Sequence, residues 1–371
     1  MHEKGKLPGT MRKTVVALGL VFAFVTALGR EVLAQSSVTL HPNDDAQTQA
    51  FLAATGMTAD QLNLFLSDKL NSLFQTVDAT GFVRRFGDSQ SFTSKGMGVD
   101  YASEATYFEI GGSASFAMGI DRTYQPGNTQ GFPIQGVGLN ASLMAGASLG
   151  FLGIPVMVFG NWMKVPTTDY GSMRGSLSNW GVHAQVRLLG PTRDTSALKM
   201  LIRWGGIAIT SGVDYSHMSL GLHKDIKSNF AIPNTTGLNV NVTGVADGNA
   251  KFNVDMTTKS IPLEITTSLR LMTLFTVYGG MGIDWQLGGG SSMNVDVTNL
   301  SIAGRTSGAS DVNLGTAEVH ASAKADPSAA KVRGILGAQI NLALFRIFAQ
   351  LNVTNTNPAM ASLAVGARLA Y

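Results

Sequence analysis

Cysteine is absent from all 371 residues, which excludes a disulfide framework and any thiolate metal site. Charge is scarce as well. Asp, Glu, Lys and Arg make up 14% of the chain, against about a quarter in an ordinary soluble domain. Beyond the N-terminus no segment reaches the roughly eighteen unbroken apolar residues of a membrane-spanning helix, so the pattern excludes a helical membrane protein. What the chain has instead is glycine, 43 residues of it. Little charge with much glycine suits a wall that is wetted by lipid outside and crowded by backbone and side chains inside.

The N-terminus carries an export signal. Met11-Arg12-Lys13 precedes an apolar run from Thr14 to Leu28, and Val32-Leu33-Ala34 forms a small-x-Ala cleavage site before Gln35. An apolar run of about fifteen residues is shorter than the roughly twenty a spanning helix needs, so residues 1–34 read as a cleaved signal peptide. Of the 27 basic and 24 acidic residues this leader removes five and two, leaving 22 of each. The mature chain is formally neutral, and its composition gives no nucleic-acid footprint.

The segment GVGLNASLMAGASLGF, from Gly136 to Phe151, alternates strictly. Val137, Leu139, Ala141, Leu143, Ala145, Ala147, Leu149 and Phe151 share one parity, and Gly, Asn, Ser and Met fill the other, as a strand requires. The same alternation returns at 107–121, 179–188, 261–271, 275–287, 331–342 and 347–354. No helical pattern lies between these strands to cover a sheet, so closure must be antiparallel. The C-terminal SLAVGARLAY places Leu363, Val365, Ala367, Leu369 and Tyr371 on one face and ends on an aromatic residue. This strand resembles the closing strand of Gram-negative outer-membrane β-barrels. The resemblance implies location in the cell outer membrane, contact with its lipid, and recognition by the barrel assembly machinery.

Connection lengths orient the barrel. Leu152-Gly153, Gly190 to Ala197, Met272 to Leu274 and Phe345-Arg346 are short, whereas Arg122 to Pro133, Pro166 to Gly175, Lys224 to Ala250 and Leu300 to Ala329 are long and polar. Outer-membrane barrels have short periplasmic turns and long outer loops, so residues 105–371 are expected to form an antiparallel transmembrane β-barrel of about ten strands, with eight to twelve open. In this register Phe108, Phe151, Trp204, Phe275 and Tyr371 fall at the periplasmic rim, and Trp162, Trp180 and Trp285 at the outer one, as two aromatic girdles. The apolar parity should face lipid. An arginine at Leu143 should therefore damage assembly more than one at inward Ser142. Two places fit poorly: Val156 to Lys164 is apolar on both parities, and the parity slips at Gly205-Gly206, which reads as a bulge.

Residues 35–104 form a separate N-terminal periplasmic or plug segment. Thr58-x-x-Gln61 is a capping-box pattern opening QLNLFLSDKLNSLF, whose Leu62, Phe65, Leu66, Lys69, Leu70 and Leu73 share a helical stripe. This short amphipathic helix is expected to plug or brace the periplasmic mouth, or to pack on the rim. GLNVNVTGVADGNAKFNVDM alternates on both sides of Asp247-Gly248 and reads as a hairpin beyond the membrane.

Chemistry-bearing motifs are few. In Asp214-Tyr215-Ser216-His217-Met218-Ser219, His217 and Ser219 share one strand face, and His-x-Ser resembles the catalytic strand of outer-membrane lipid A deacylases. Those enzymes continue with Asn where this chain has Leu220. A nucleophile needs its base and an oxyanion donor within reach, and only half of that set is visible. His183 and His320 lack ligand spacing, so no metal is expected, nor any cofactor. Inside the barrel Arg187, Arg203, Arg270 and Arg368 take inward parity at the periplasmic mouth, with Glu109 the one acidic residue placed there. That mouth should be basic and favour anions, unless the arginines bond to turn carbonyls or to carboxylates. The expected function is an outer-membrane barrel of porin or transport type. A structural or surface-interaction barrel without conduction and a lipid-modifying enzyme stay open beside it. The oligomeric state is not legible.

Overall fold

A computed structural model of the chain describes residues 35–75, 79–102, 107–120, 136–190, 201–232, 242–306, 311–355 and 359–371. Residues 1–34, read above as a signal peptide, the join from Arg122 to Pro133 and most of Gly190 to Ala197 lie outside these residues. No described helix is long and apolar enough to cross a membrane.

The chain opens with β1 (Gln35–Pro42), followed by helices α1 (Ala46–Thr55), α2 (Ala59–Gln75) and α3 (Ala79–Thr93). Next come β2 (Phe108–Ile120), β3 (Gly136–Ser148), β4 (Val156–Tyr170), β5 (Met173–Leu189), β6 (Ile202–Ala231), β7 (Val242–Leu271) and β8 (Phe275–Thr306). The last four strands are β9 (Val312–Ala325), β10 (Ala330–Leu342), β11 (Phe345–Thr354) and β12 (Ala359–Ala370). Every pairing is antiparallel, and β2 to β8 with β10 to β12 close a ring of 10 strands. At the closing seam β12 pairs with β2 from Ala359↔Ile120 to Ala370↔Glu109. The Tyr371 amide donates to the Phe108 carbonyl at 2.9 Å.

The ring's outer wall is apolar. Leu139, Leu143, Val182, Met281, Leu336 and Leu363 are exposed, while Asn140, Ser142, His183, Asp284 and Gln350 of the opposite parity are buried in the lumen. Such an outward hydrophobic band is what lipid requires of a barrel wall, and it makes this chain an outer-membrane β-barrel. Aromatic residues mark both rims. Phe108 and Tyr371 pack with ring centroids 5.7 Å apart, joined by Trp204, Phe275 and Phe151 at the end of the short turns. At the other rim Trp162 and Trp180 pair across β4 and β5, Trp180 stacks on Tyr215 at 5.8 Å, and Trp285 stands on β8 opposite Ile261.

Several connections are shorter than the sequence reading. Three residues of the alternating β3 run belong to a turn: Leu149–Leu152 is a 3-10 helix capped by Ser148, whose hydroxyl accepts from the Gly150 amide, and closed by Gly153 with φ of 77°. The β10–β11 turn is Ala343-Leu344, not Phe345-Arg346, because Leu342 already pairs with Phe345. Pro166 to Gly175 is no loop, since β4 and β5 pair as far as Tyr170↔Met173 around Gly171-Ser172. The stretches 224–231 and 242–250, read as parts of a long loop, are likewise strand. Asp247-Gly248, read above as a hairpin turn, lies inside β7 and pairs without a break with Lys227 and Ile226 of β6; the register to β8 steps there because β8 carries an extra residue at Asn299, whose φ is 55°. Gly205-Gly206 is a bulge as expected: the β6–β7 register steps between Trp204 and Ile207, and Gly206 has φ of 90°.

Beyond the membrane β6, β7 and β8 continue as a sheet that adds β9 and then β1. The sidedness of its strands inverts there. Within the membrane β7 turns Ser260, Glu264 and Thr266 inward, but further out the same face presents Val254 and Met256. These join Met293, Val295, Val297, Leu300, Ile302 and Val319 in a core that Phe51, Leu52, Leu62 and Leu66 of α1 and α2 cover. Asp45 caps α1 by accepting from the Thr48 amide at 2.7 Å. The capping box of α2 forms: Gln61 N–H donates to the Thr58 hydroxyl at 3.2 Å, and Thr58 N–H to Gln61 Oε1 at 2.9 Å. This cap domain lies on the side of the long strands, opposite the short turns. The amphipathic helix therefore sits at the end of the long strands and not at the end of the short turns, because its apolar stripe finds its partner on the extended sheet.

Candidate functional site

The lumen is occupied by the chain's own segment from α3 to Ala102. This segment enters at the outer end, where the Ser328 amide donates to Asp88 at 2.8 Å and Lys331 approaches Asp88 at 2.6 Å. It passes mid-height at Lys95 and reaches the periplasmic end at Asp100, which meets Arg346 at 3.2 Å and Arg368 at 3.3 Å. Ser89, Gln90, Ser91, Thr93 and Ser94 are buried. The polar stretch from Asp88 to Ser94, broken by Phe92, suits a polar lumen where hydroxyls and amides find wall partners. Gln90 donates to the Ser216 hydroxyl at 2.9 Å, and the Ser115 hydroxyl donates to the Thr93 carbonyl at 2.6 Å. Two glycines make room for it: a Cβ at Gly136 would collide with the Arg85 carbonyl, and one at Gly138 with Ser89 backbone. The even parity of β3 is thus glycine-rich because helix backbone lies against it.

Charges meet in pairs along this path. Lys95 binds Asp214 at 3.2 Å, lies 3.9 Å from Asp284, and donates to the Ser260 hydroxyl. Arg333 joins Glu264, Asp284 and Asn352. His183 lies 3.1 Å from Asp214. Arg368 reaches Glu109 at 3.3 Å and also stacks over the Phe348 ring at 4.4 Å. Six carboxylates (Asp88, Asp100, Glu109, Asp214, Glu264 and Asp284) therefore face Lys95, Lys331, Arg333, Arg346, Arg368 and His183. Isolated charges cannot be buried at acceptable cost, and this pairing is what lets the lumen close.

Of the arginines singled out at the periplasmic mouth Arg368 is buried in the lumen, whereas Arg187, Arg203 and Arg270 are partly exposed near the short turns, and none of the four is an open charge. Glu109 and Arg368 are neighbours across the closing seam. Asp100, which no strand pattern announces, joins them from the plug. Arg270 donates to the Thr273 turn carbonyl at 3.1 Å. Arg187 and Arg203 are partnered too. Phe159 and Met157 explain the doubly apolar strand, since both turn inward and pack on Val99, Tyr101 and Tyr278. His217 and Ser219 are paired with Thr257 and Asp255 on β7. The His217 Nδ1 lies 3.0 Å from the Thr257 hydroxyl, and this contact, not one to Ser219, occupies the ring nitrogen. Among the described residues no group of three or more His, Cys, Asp or Glu side chains could hold a metal.

The family described as Lsa36-like matches residues 45–371. The chain belongs to the Lsa36-like family. No curated protein sequence matches this Lsa36-like chain. Among solved structures it is similar to the translocator domain of the autotransporter NalP from Neisseria meningitidis, with 12% identity, a TM-score of 0.29, and coverage of 82% of this chain and 98% of that one. It is also similar to Ail, the attachment invasion locus protein of Yersinia pestis, with 10% identity, a TM-score of 0.22, and coverage of 71% and 96%. The P. putida toluene transporter TodX shares 10% identity at a TM-score of 0.21, covering 73% of this chain and 91% of its own.

Proposed function

We propose that this protein is a closed surface-interaction barrel: a plugged β-barrel that carries a folded cap domain of β1, β9, α1 and α2 outside the outer membrane. The path of residues 79–102 through the ring carries this reading. That segment links the cap at one end to Phe108 at the other, so it fills the lumen and tethers the cap at once. Porin-type conduction needs an unoccupied path, and in this barrel plug and wall side chains meet at Asp88, at Gln90, at Lys95 and at Asp100. A ring this narrow has little room beyond side chains even when empty. The lipid-modifying alternative has less support, because the contact described for His217 is from Nδ1 to Thr257 and not to Ser219. The strand ending in Tyr371 is the segment we assign to recognition by the barrel assembly machinery.

The test uses the natural absence of cysteine. Gln47→Cys on exposed α1 should react with a membrane-impermeant maleimide on intact cells, whereas Leu344→Cys in a short turn should react only after the outer membrane is permeabilised. The purified full chain should be electrically silent in a planar bilayer. Protection of residue 47 on intact cells would overturn the outward cap, and a steady current through the unmodified protein would overturn closure.

A further inference from the structure

The outward face of the wall changes character at one level on four neighbouring strands. On β5 it runs through Val186, Val182 and Trp180 to Ser178, Ser176 and Arg174, and on β4 Trp162 gives way to Lys164. On β6 Tyr215 is followed outward by His217 and Ser219, and on β7 Ile261 by Lys259, Thr257 and Asp255. Registers align these changes. Trp162, Trp180, Tyr215 and Lys259 form one row across the four strands, and Lys164, Ser178, His217 and Thr257 form the next. A step from apolar and aromatic to polar side chains on one face marks where hydrocarbon ends and head groups begin. Here the wall continues past that boundary. Across the ring the ladders of β11, β12, β2 and β3 end within two residues of the apolar row Val353, Ala361, Met118 and Val137.

The polar strip carries different groups at its corners and in its middle. Lys164 and Lys259 stand at opposite corners, three strand spacings and one rung apart, or roughly 15 Å. Both are exposed, and among the described residues neither has a carboxylate partner. Between them lie the hydroxyls of Ser178 and Thr257 and the imidazole of His217, whose Nδ1 meets the Thr257 hydroxyl at 3.0 Å and leaves Nε2 for a partner outside the wall. Further out on the same face a hollow of about 260 Å³ is lined by Thr167, Arg174, Ser176, Ser219 and Asn253. Its cation is already engaged, since Arg174 lies 3.6 Å from Asp169, and Asp255 stands opposite Ser219 at its border. The hollow therefore suits neutral hydroxyls, and the uncommitted positive charge is at the two lysines.

We propose that this strip binds the head group of one diphosphorylated glycolipid. One phosphate sits at Lys164 and the other at Lys259, sugar hydroxyls meet Ser178, His217 and Thr257, and the acyl chains lie on the apolar wall below. An ammonium group binds phosphate as a point charge. A single phosphate would engage both lysines only with each side chain stretched along the wall, whereas two phosphates separated by a sugar let each bind near its own corner. A glycerol head group would satisfy the lysines but leave the hydroxyl row and the hollow to water. The choice of leaflet rests on the outward cap proposed above, and the chemistry of the strip does not.

The full chain in phosphatidylcholine nanodiscs is titrated with diphosphoryl lipid A, an acylated glucosamine disaccharide, and the lipid A retained per barrel is counted by native mass spectrometry. One molecule should be retained saturably. Lys164→Gln with Lys259→Gln should raise the half-saturating lipid fraction about fivefold for each lysine and roughly thirtyfold for the pair. Lys251→Gln with Lys324→Gln, both exposed on the cap sheet, should leave it unchanged. Ser178→Ala with Thr257→Val should weaken lipid A several-fold but not cardiolipin, which has two phosphates and no sugar. Retention that never saturates, or that the cap pair weakens equally, overturns the site. Cardiolipin or dephosphorylated lipid A held as tightly as the diphosphoryl form overturns the assignment of the head group. Binding in a nanodisc is the same whichever way the cap points on cells, so failure here leaves the outward cap standing. Protection of residue 47 on intact cells would overturn the outer leaflet and leave the site.

Discussion

His320 stands on β9 outside the membrane, where its Nδ1 lies 2.8 Å from Asp296 of the neighbouring strand. The Asp296 hydrogen bond holds the imidazole pKa above its usual 6.5. A folded-state pKa that is raised means the contact stabilises fully below 6.5 and fades as the pH climbs through the higher folded value. The outer sheet should therefore exchange its β1 and β9 amides faster as the pH rises above 6.5, once the intrinsic exchange rate is divided out. His320→Gln should flatten that dependence, and an equal slope in both proteins would show that the pair does not matter. In the sequence this histidine is merely solitary, because its partner stands 24 residues away and only the β8–β9 register unites them. The same holds for His183 and Asp214. Glu109 and Arg368 were legible as neighbours, since first and last strands must meet, whereas Asp88, Lys95 and Asp100 were not. They sit beyond the apolar start of α3, whose Val83 and Phe86 join the cap core, on a stretch where polar residues predominate and neither a period of two nor a stripe at 3.6 is sustained.

Strands were the most legible elements, because lipid on one face and a polar lumen on the other enforce alternation. Their outer continuations were misread as loops for a physical reason: past the aromatic rim, water replaces lipid and the cap core replaces the lumen. The apolar residues then change faces, as Val254 and Met256 do on β7, and extra residues on β8 at Leu287 and Asn299 break the phase of that strand. A pattern reader sees the phase break as a turn. The occupied lumen also alters what an inward substitution does. Leu336→Arg on the exposed wall near mid-height should cost about 2–4 kcal/mol in a reversible urea titration in lipid. Ser142→Arg, expected from parity alone to be milder, should be at least as damaging, because Ser142 is 3% exposed and bonded within the Asn161–Asn179 cluster. Were Ser142→Arg tolerated while Leu336→Arg was not, the lumen at that height would have to be open.

At the scale of the whole molecule, the plug and the ring are held together by charge, and removing one charge has a predictable sign. Lys95 is the cation at mid-height, between Asp214 and Asp284, both of which belong to the wall. In Lys95→Met those two carboxylates keep His183 and Arg333 as partners, at 3.1 Å and 2.9 Å, so the ring itself should still close. The plug loses its strongest hold on the wall at that depth, and breaking a buried pair leaves an excess charge costing about 3–5 kcal/mol. Partial displacement of the plug relieves that cost by admitting water and counterions. The variant should therefore show brief openings in a planar bilayer where the unmodified barrel is silent. The six lumen carboxylates would then face four of the five lysines and arginines together with His183, which makes the transient path acidic. Reversal potentials across a salt gradient should show cation preference, opposite in sign to the anion preference that four inward arginines imply when read without the plug. Openings that select anions would mean that Arg187, Arg203 and Arg270 govern the path after all, and a variant as silent as its parent would mean that Lys95 does not secure the plug.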